Sequence, residues 1–276
     1  MPLRVLHGIA HLWGNLLWAI PNRARDTTIR NLQACFPQKS KAEISSLAKD
    51  SLRNTACTAM EMGKAWLLPL ADTMSLVTET EGIEAFHEAL SGKEGIILLA
   101  PHQGNWEIFG VHIAKGVDTT FMYQPPKLSG LDRLLKERRS RGGIALAPTN
   151  RKGVAQLLKA LQRGEVVGLL PDQVPTSEGG QFASFFGEQA LTMTLVSKLI
   201  QRSKAKVFCG HVQRLPGSQG FKLLITEAVP EIYSEQLEES VRGLNQTVEQ
   251  CVMEAVEQYQ WEYKRFRRRP DGEKFY

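Results

Sequence analysis

Residues 95–107 read Gly95-Ile-Ile-Leu-Leu-Ala100-Pro101-His102-Gln103-Gly104-Asn105-Trp106-Glu107. The apolar run at 95–100 predicts a buried strand, and the periodicity of Asn105–Lys115 predicts a helix directly after it. His102 then lies on a strand-to-helix loop, Gly104 permits a tight turn and Asn105 is placed to cap the helix. The same alternation continues outward. The runs TTFMYQ (119–124), GIALAP (143–148) and VVGLLP (166–171) read as further strands, and Leu128–Ser140 and Arg151–Arg163 as the helices between them. That order predicts an α/β fold with a largely parallel central sheet flanked by helices. AKVFCGHVQRL (205–215) and FKLLITEAV (221–229), separated by Pro216-Gly217-Ser218-Gln219-Gly220, predict an antiparallel hairpin joined to that sheet. A long helix over about 235–261 is expected to close the fold.

Upstream of residue 95 the pattern is helical, giving a helical N-terminal layer. Ser40 and Glu43 form a capping box at the start of an amphipathic stretch running from Lys41 to Leu68. No repeat or flexible linker divides the 276 residues, so a single domain over 1–276 is expected. Residues 1–20 are apolar but interrupted by Arg4, His7, His11 and Asn15, too short a run to span a bilayer and without a cleavage site. They are expected to form a membrane-surface helix, with Trp13 and Trp18 at headgroup depth and Arg23, Arg25 and Arg30 facing anionic lipid. The alternative is an amphipathic helix packed on the protein's own core.

The net charge is +5 and the isoelectric point about 9.0. Such a balance suits an anionic partner, whether nucleic acid, an acidic lipid surface or an acidic carrier protein. The basic run Lys264-Arg265-Phe266-Arg267-Arg268-Arg269 follows no nucleic-acid-binding module, so lipid phosphates are its expected functional contact and a solvated tail its structural alternative. Four scattered cysteines form no C-x-x-C pair, which argues against a zinc site or disulfide framework and fits a reducing compartment.

The chemistry centres on His102 and Glu107. A carboxylate in the first helical turn accepts a hydrogen bond from one imidazole nitrogen and leaves the other as a base. No G-x-S-x-G elbow supplies a nucleophilic serine, so the nucleophile is expected to be the substrate's own hydroxyl. The oxyanion donor is expected either from Arg138-Arg139-Ser140-Arg141 or from a backbone N–H of the 102–105 loop. Asp172 ends the strand VVGLLP at the same sheet edge, where it orients an arginine or a substrate group or merely opens a turn; Gln173 is its neighbour. Arg151 is a second substrate-binding arginine. Phe182, Phe185 and Phe186 line an acyl groove or belong to the core.

These residues closely resemble the lipid A late acyltransferases of the lysophospholipid acyltransferase family. The H-x-x-x-x-[DE] motif matches at His102–Glu107. More specific matches are Pro171-Asp172-Gln173, Phe185-Phe186-Gly187 with Ala190 and Thr192, Pro21-Asn22-Arg23 leading to Asn31-Leu32 and Phe36-Pro37, and Gln258–Trp261 before Lys264-Arg265-Phe266. One departure is the short, interrupted amino-terminal stretch, where the family usually carries a clear membrane span. The resemblance implies acyl transfer from an acyl carrier protein thioester to a hydroxyl of an anionic lipid acceptor, a lipid A precursor. It implies no cofactor and no nucleic acid, and a place on the cytoplasmic face of the inner membrane. It also places a functional arginine near Arg139. The remaining alternatives are acylation of a glycerophospholipid or aminolipid, or a non-catalytic basic lipid-binding protein.

Overall fold

The computed structural model describes residues 1–125, 129–141 and 143–276; within 129–141 the side chains of Ser129, Leu131, Leu134, Arg138, Ser140 and Arg141 lie outside the description. The chain opens with three helices, α1 (Leu3–Ala19), α2 (Arg23–Cys35) and α3 (Lys41–Leu67), followed by the short α4 (Leu70–Met74). The expected capping box at Ser40 is present, with the Glu43 N–H donating to Ser40 Oγ and the Ser40 N–H donating to Glu43 Oε2 at 2.8 Å. Then come β1 (Val77–Glu81), α5 (Ile83–Leu90), β2 (Ile96–Leu99), α6 (Trp106–Ile113), β3 (Thr119–Tyr123), α7 (Ser129–Arg141), β4 (Ile144–Pro148), α8 (Arg151–Gln162) and β5 (Val166–Leu169). A small antiparallel pair, β6 (Gly180–Phe185) and β7 (Glu188–Met193), leads through α9 (Leu195–Ser203) to β8 (Lys206–Arg214), β9 (Phe221–Glu227) and α10 (Leu237–Met253).

Among the described residues, seven strands form one sheet in the order β1-β9-β8-β2-β5-β3-β4. All neighbours are parallel except the β8–β9 hairpin. The apolar runs read as strands are buried on both faces, as a sheet covered on both sides requires: Ile96 to Leu99 are all inaccessible to solvent. One face packs with Phe86, Phe109, Phe121 and Phe208, the other with Leu157, Leu161, Leu199 and Leu244.

Two expectations need correction. The helix expected over about 235–261 stops at Met253, and the chain passes through a 3-10 turn at Val256–Gln258 into an irregular segment. There the Gln258 side chain bonds the backbone N–H and C=O of Arg214, which a continuing helix would carry it past. The Lys264–Arg269 run is not a free tail. Arg265 is buried and donates to Leu191 O and Thr192 Oγ1, and Arg269 pairs with Glu188 at 2.7 Å. Of the two alternatives for Phe185, the core is the one observed, with Tyr259, Trp261 and Phe266 around it.

Helix α1 has two unlike faces. Leu6, His7, Ala10 and Gly14 pack inward, and a Cβ on Gly14 would lie 2.5 Å from Arg53 Cα, so the helices meet almost backbone to backbone there. Val5, Ile9, Leu12, Trp13 and Leu16 point outward and are each at least 45% exposed. Trp18, expected at headgroup depth, instead packs partly against the core with the Arg25 guanidinium over its ring. Among the described residues no helix is long and apolar enough to cross a membrane.

The inner face of α1 meets a buried carboxylate, Glu61 of α3, which receives both Arg214 Nε and Arg214 Nη2 and lies 2.6 Å from His7 Nε2. Burial pushes the Glu61 carboxyl up, but the Arg214 charge and hydrogen bonds outweigh it and hold the group at about 2 against an ordinary 4.5. Because the folded value is the lower one, the pair contributes stability that is fully present above about pH 4.5 and lost as pH falls through about 2. The difference corresponds to on the order of 3 kcal/mol. Urea unfolding at pH 6 and pH 3 is expected to show Glu61→Gln less stable than the natural protein at pH 6 but losing less on acidification. Equal losses in both would remove Glu61 from the acid response.

Candidate functional site

Strands β2 and β5 are parallel neighbours with Leu99 opposite Leu169. His102 and Asp172 each lie three residues beyond that pair, so the two loops leave the sheet side by side at its carboxyl edge. His102 Nδ1 lies 2.8 Å from Asp172 Oδ1, and the His102 backbone N–H donates to Asp172 Oδ2, also at 2.8 Å. Both residues are buried. Burial alone would raise the Asp172 carboxyl; the electrostatic attraction of His102 and its two hydrogen bonds outweigh it and lower the group. An ionised carboxylate is an acceptor only, so Nδ1 carries the proton and Nε2 presents its lone pair. Gln173 Nε2 is 3.1 Å from that nitrogen, and the Trp106 ring meets the imidazole edge to face at 5.0 Å between centroids.

The expected His102–Glu107 hydrogen bond is therefore not the one observed. Glu107 lies in the first turn of α6 and takes Arg139 of α7 instead, with Nη2 at 2.5 Å from Oε1 and Nε at 3.3 Å from Oε2. The Arg139 guanidinium also lies over the Tyr123 ring, 5.1 Å from its centroid. The arginine forks onto the carboxylate bidentately, leaving the imidazole to the carboxylate that β5 delivers. Among the described side chains of its run, Arg139 is the arginine that meets the motif; Arg138 and Arg141 have side chains outside the described residues. Arg151, at the start of α8, is exposed and, among the described residues, makes no ion pair with this cluster.

The backbone of the 102–105 loop is fully engaged. Besides His102 N–H to Asp172, Gln103 N–H donates to Pro101 O, Gly104 N–H to Gln258 O and Asn105 N–H to Val212 O. No N–H of that loop is left for an oxyanion, which removes one of the two donors expected from sequence. Gly104 has φ of 55°, and a Cβ there would fall 2.0 Å from Val212 O, so only glycine fits this turn against β8. The carboxyl-terminal segment closes the loop from the other side: Gln260 N–H donates to His102 O, Val174 N–H donates to the Tyr263 hydroxyl, and burial together with the Asp172 charge pushes the Tyr259 hydroxyl up. Sequence gives no role to Tyr259, beyond its place in the Gln258–Trp261 match, or to Tyr263, because nothing local marks a residue that returns to a loop about 90 positions earlier. A cavity of about 820 Å³ between β8, β9 and α10 is lined by His211, Cys251 and Glu249 and by none of these residues.

A histidine–carboxylate pair at a strand edge, with an arginine–carboxylate pair on the adjoining helices, is an arrangement that many transferases and hydrolases share, and comparison with known proteins narrows it. Residues 1–268 match the family described as bacterial lipid A biosynthesis acyltransferase. The chain is 28% identical over 275 residues to the lipid A biosynthesis lauroyltransferase of Escherichia coli K12, covering 99% of this chain and 88% of that one. It is 26% identical over 274 residues to the lipid A biosynthesis palmitoleoyltransferase of the same organism, with the same coverage. With the lipid A biosynthesis myristoyltransferase of that organism it shares 26% over 265 residues, 94% of this chain and 80% of that protein. A match spanning nearly the whole chain, carried through the loops that build the His102 site, places the protein in the bacterial lipid A biosynthesis acyltransferase family.

Proposed function

We propose that the protein transfers a fatty acyl group from an acyl carrier protein thioester to a hydroxyl of a lipid A precursor, working at a membrane surface on the cytoplasmic side. The observation that carries the chemistry is the buried His102–Asp172 pair, which leaves His102 Nε2 as the acceptor for a proton. The acceptor hydroxyl displaces Gln173 from Nε2 and gives up its proton as its oxygen attacks the thioester carbon. Asp172 stabilises the imidazolium that results without taking the proton itself. When the tetrahedral intermediate collapses the carbon–sulfur bond breaks, and His102 returns the proton to the leaving thiolate. With the loop N–H groups engaged, Arg139, fixed by Glu107, and the Gln173 amide are the donors available to the developing oxyanion. The lipid A acceptor is inferred from the family and from the activities its relatives are named for, and the acyl carrier donor from the resemblance of the motifs.

Membrane docking is read from α1. Its outward stripe Val5, Ile9, Leu12, Trp13 and Leu16, with Leu67 and Leu70 exposed on α3 and α4, suits the acyl boundary of a bilayer better than water. The basic run at 264–269 is largely committed to the fold, so the apolar stripe is the better anchor.

His102→Ala and Asp172→Asn are each expected to lower turnover of an acyl carrier thioester on a lipid A precursor by roughly 100-fold or more. Nitrogen NMR is expected to find His102 as the Nδ1–H tautomer, and Asp172→Asn to lose that preference. Full turnover by purified His102→Ala would end the acyl-transfer reading. For docking, replacing Leu12 and Trp13 by serine should weaken partition onto lipid vesicles roughly tenfold or more, since each side chain is worth about 1.5–3 kcal/mol when buried. Unchanged partition would move the anchor away from α1.

A further inference from the structure

Behind the His102 loop lies a buried polar cluster that acyl transfer does not itself use. Glu61 is its hub: one carboxylate receives Arg214, His7 and Asn105. Asn105 follows Gly104 in the loop and caps α6, its Oδ1 accepting from the Ile108 N–H at 3.1 Å while its Nδ2 donates to Glu61 Oε2 at 3.2 Å. Since the Glu61 carboxylate is an acceptor only, it decides which end of the Asn105 amide faces inward and therefore that the oxygen is left to cap the helix. Arg214 and Thr58 extend the hold, Arg214 Nη2 donating to Thr58 Oγ1 and Thr58 Oγ1 donating to Gly104 O at 3.0 Å.

The remaining member comes from α1. His7 is buried, with Nε2 at 2.6 Å from Glu61 Oε1 and Nδ1 at 2.8 Å from Ser218 Oγ. It stands on the inner face of the helix whose outer face carries Val5, Ile9, Leu12 and Trp13. A single rigid helix therefore touches solvent or lipid on one side and, two hydrogen bonds away, the cap of the catalytic loop on the other.

We propose that Glu61 is a positioning residue for the acyl-transfer loop, acting through Asn105, and that His7 carries the seating of α1 into it, so that docking of the apolar face on lipid is coupled to the alignment of His102. The inference rests on His102 as the proton acceptor and on α1 as the lipid-facing helix. It assigns to His7, which does not reach the reacting atoms, an effect on turnover and not on binding.

The test is a double-mutant cycle on the full chain, with an acyl carrier thioester and lipid A precursor presented in phospholipid vesicles. His7→Leu keeps the volume and removes the donor. It is expected to lower kcat roughly tenfold, the scale of a small misplacement of a reacting group. Vesicle affinity and acceptor KM should stay within about twofold, because uniform binding is untouched. His7→Gln, whose amide restores a donor to Glu61, is expected to recover most of the loss. Asn105→Ala should lower kcat further, and the double variant His7→Leu with Asn105→Ala should be no slower than Asn105→Ala alone, since both act through one chain of contacts. The cycle is run in parallel with His7→Asn, which is too short to reach Glu61, so that a fold defect peculiar to leucine does not decide the result; thermal midpoints verify folding. Unchanged kcat in both His7→Leu and His7→Asn, or losses that multiply in the double variant, would overturn the coupling while leaving acyl transfer intact. Turnover surviving in His102→Asn would overturn the acyl-transfer reading and this inference together.

Discussion

The parallel pairing of β2 with β5 is the constraint on which the site depends. It sets Leu99 opposite Leu169, and equal three-residue steps from that pair bring an imidazole and a carboxylate into contact. Were β3, the next strand in the chain, the neighbour of β2, Asp172 would leave the sheet one strand farther from His102. The crossover that inserts β5 between β2 and β3 is thus what turns two separate loop residues into a pair. Gly168 is part of this packing: a Cβ there would lie 2.2 Å from the Phe121 ring, so glycine is what lets the bulky aromatic of β3 close against β5.

The second requirement is that the His102 loop not move, and the carboxyl-terminal segment supplies it. Where α10 ends at Met253 the chain turns back, and residues 258–263 bond the loop at Gly104 and His102 and reach Val174 beyond Asp172. Every backbone N–H from 102 to 105 is spent in this way, within the loop on Pro101 O, or against β8 and Asp172. An imidazole held so firmly would need little reorganisation in the proposed proton transfer, which is the usual source of electrostatic advantage in a buried site. The same segment accounts for much of the basic run, because Arg265 must be buried to fasten β7 to α10 through Leu191, Thr192 and Asn245.

Much of the framework was legible from sequence because it is written locally. Apolar runs of four to six residues between amphipathic stretches gave β2 to β5, and Pro216–Gly220 gave the β8–β9 hairpin, since the period of burial and the chemistry of a turn act on near neighbours. Strand β1 reads Val77-Thr-Glu-Thr-Glu81 and is mostly exposed at the sheet edge, so no hydrophobic pattern announced it. Strand order is not local, and for that reason His102 was assigned the carboxylate five residues away when its partner is Asp172, seventy residues on. Glu107 was correctly seen as a first-turn carboxylate, but Arg139 has the stronger claim on it, because a guanidinium fork fills both of its oxygens. The basic run misled for a related reason: a string of arginines looks solvated until the carbonyls and carboxylates that receive them are brought up by distant parts of the chain.

The buried charges share one logic. Taking a carboxylate or guanidinium out of water is costly, and such groups persist only where partners satisfy them or where they specify a geometry that apolar residues would not. Glu61 with Arg214, Glu107 with Arg139 and Asp172 with His102 are each paired. Arg265 stands apart: among the described residues it forms no ion pair with a carboxylate, its charge is met by carbonyl and hydroxyl oxygens and by the Phe185 ring, and burial lowers its proton affinity. Its charge is nonetheless felt at Asp172 and Tyr259. Asp172 therefore takes hydrogen bonds from His102 at both oxygens and lies in the field of Arg265. The hydrogen bonds and the Arg265 charge both favour the ionised carboxylate, so Asp172 is already charged and already stripped of water before any proton moves. When His102 becomes imidazolium in the proposed reaction, the new charge arises beside an anion whose desolvation was met in folding, and that is a sufficient physical reason for burying an arginine so deeply behind the site.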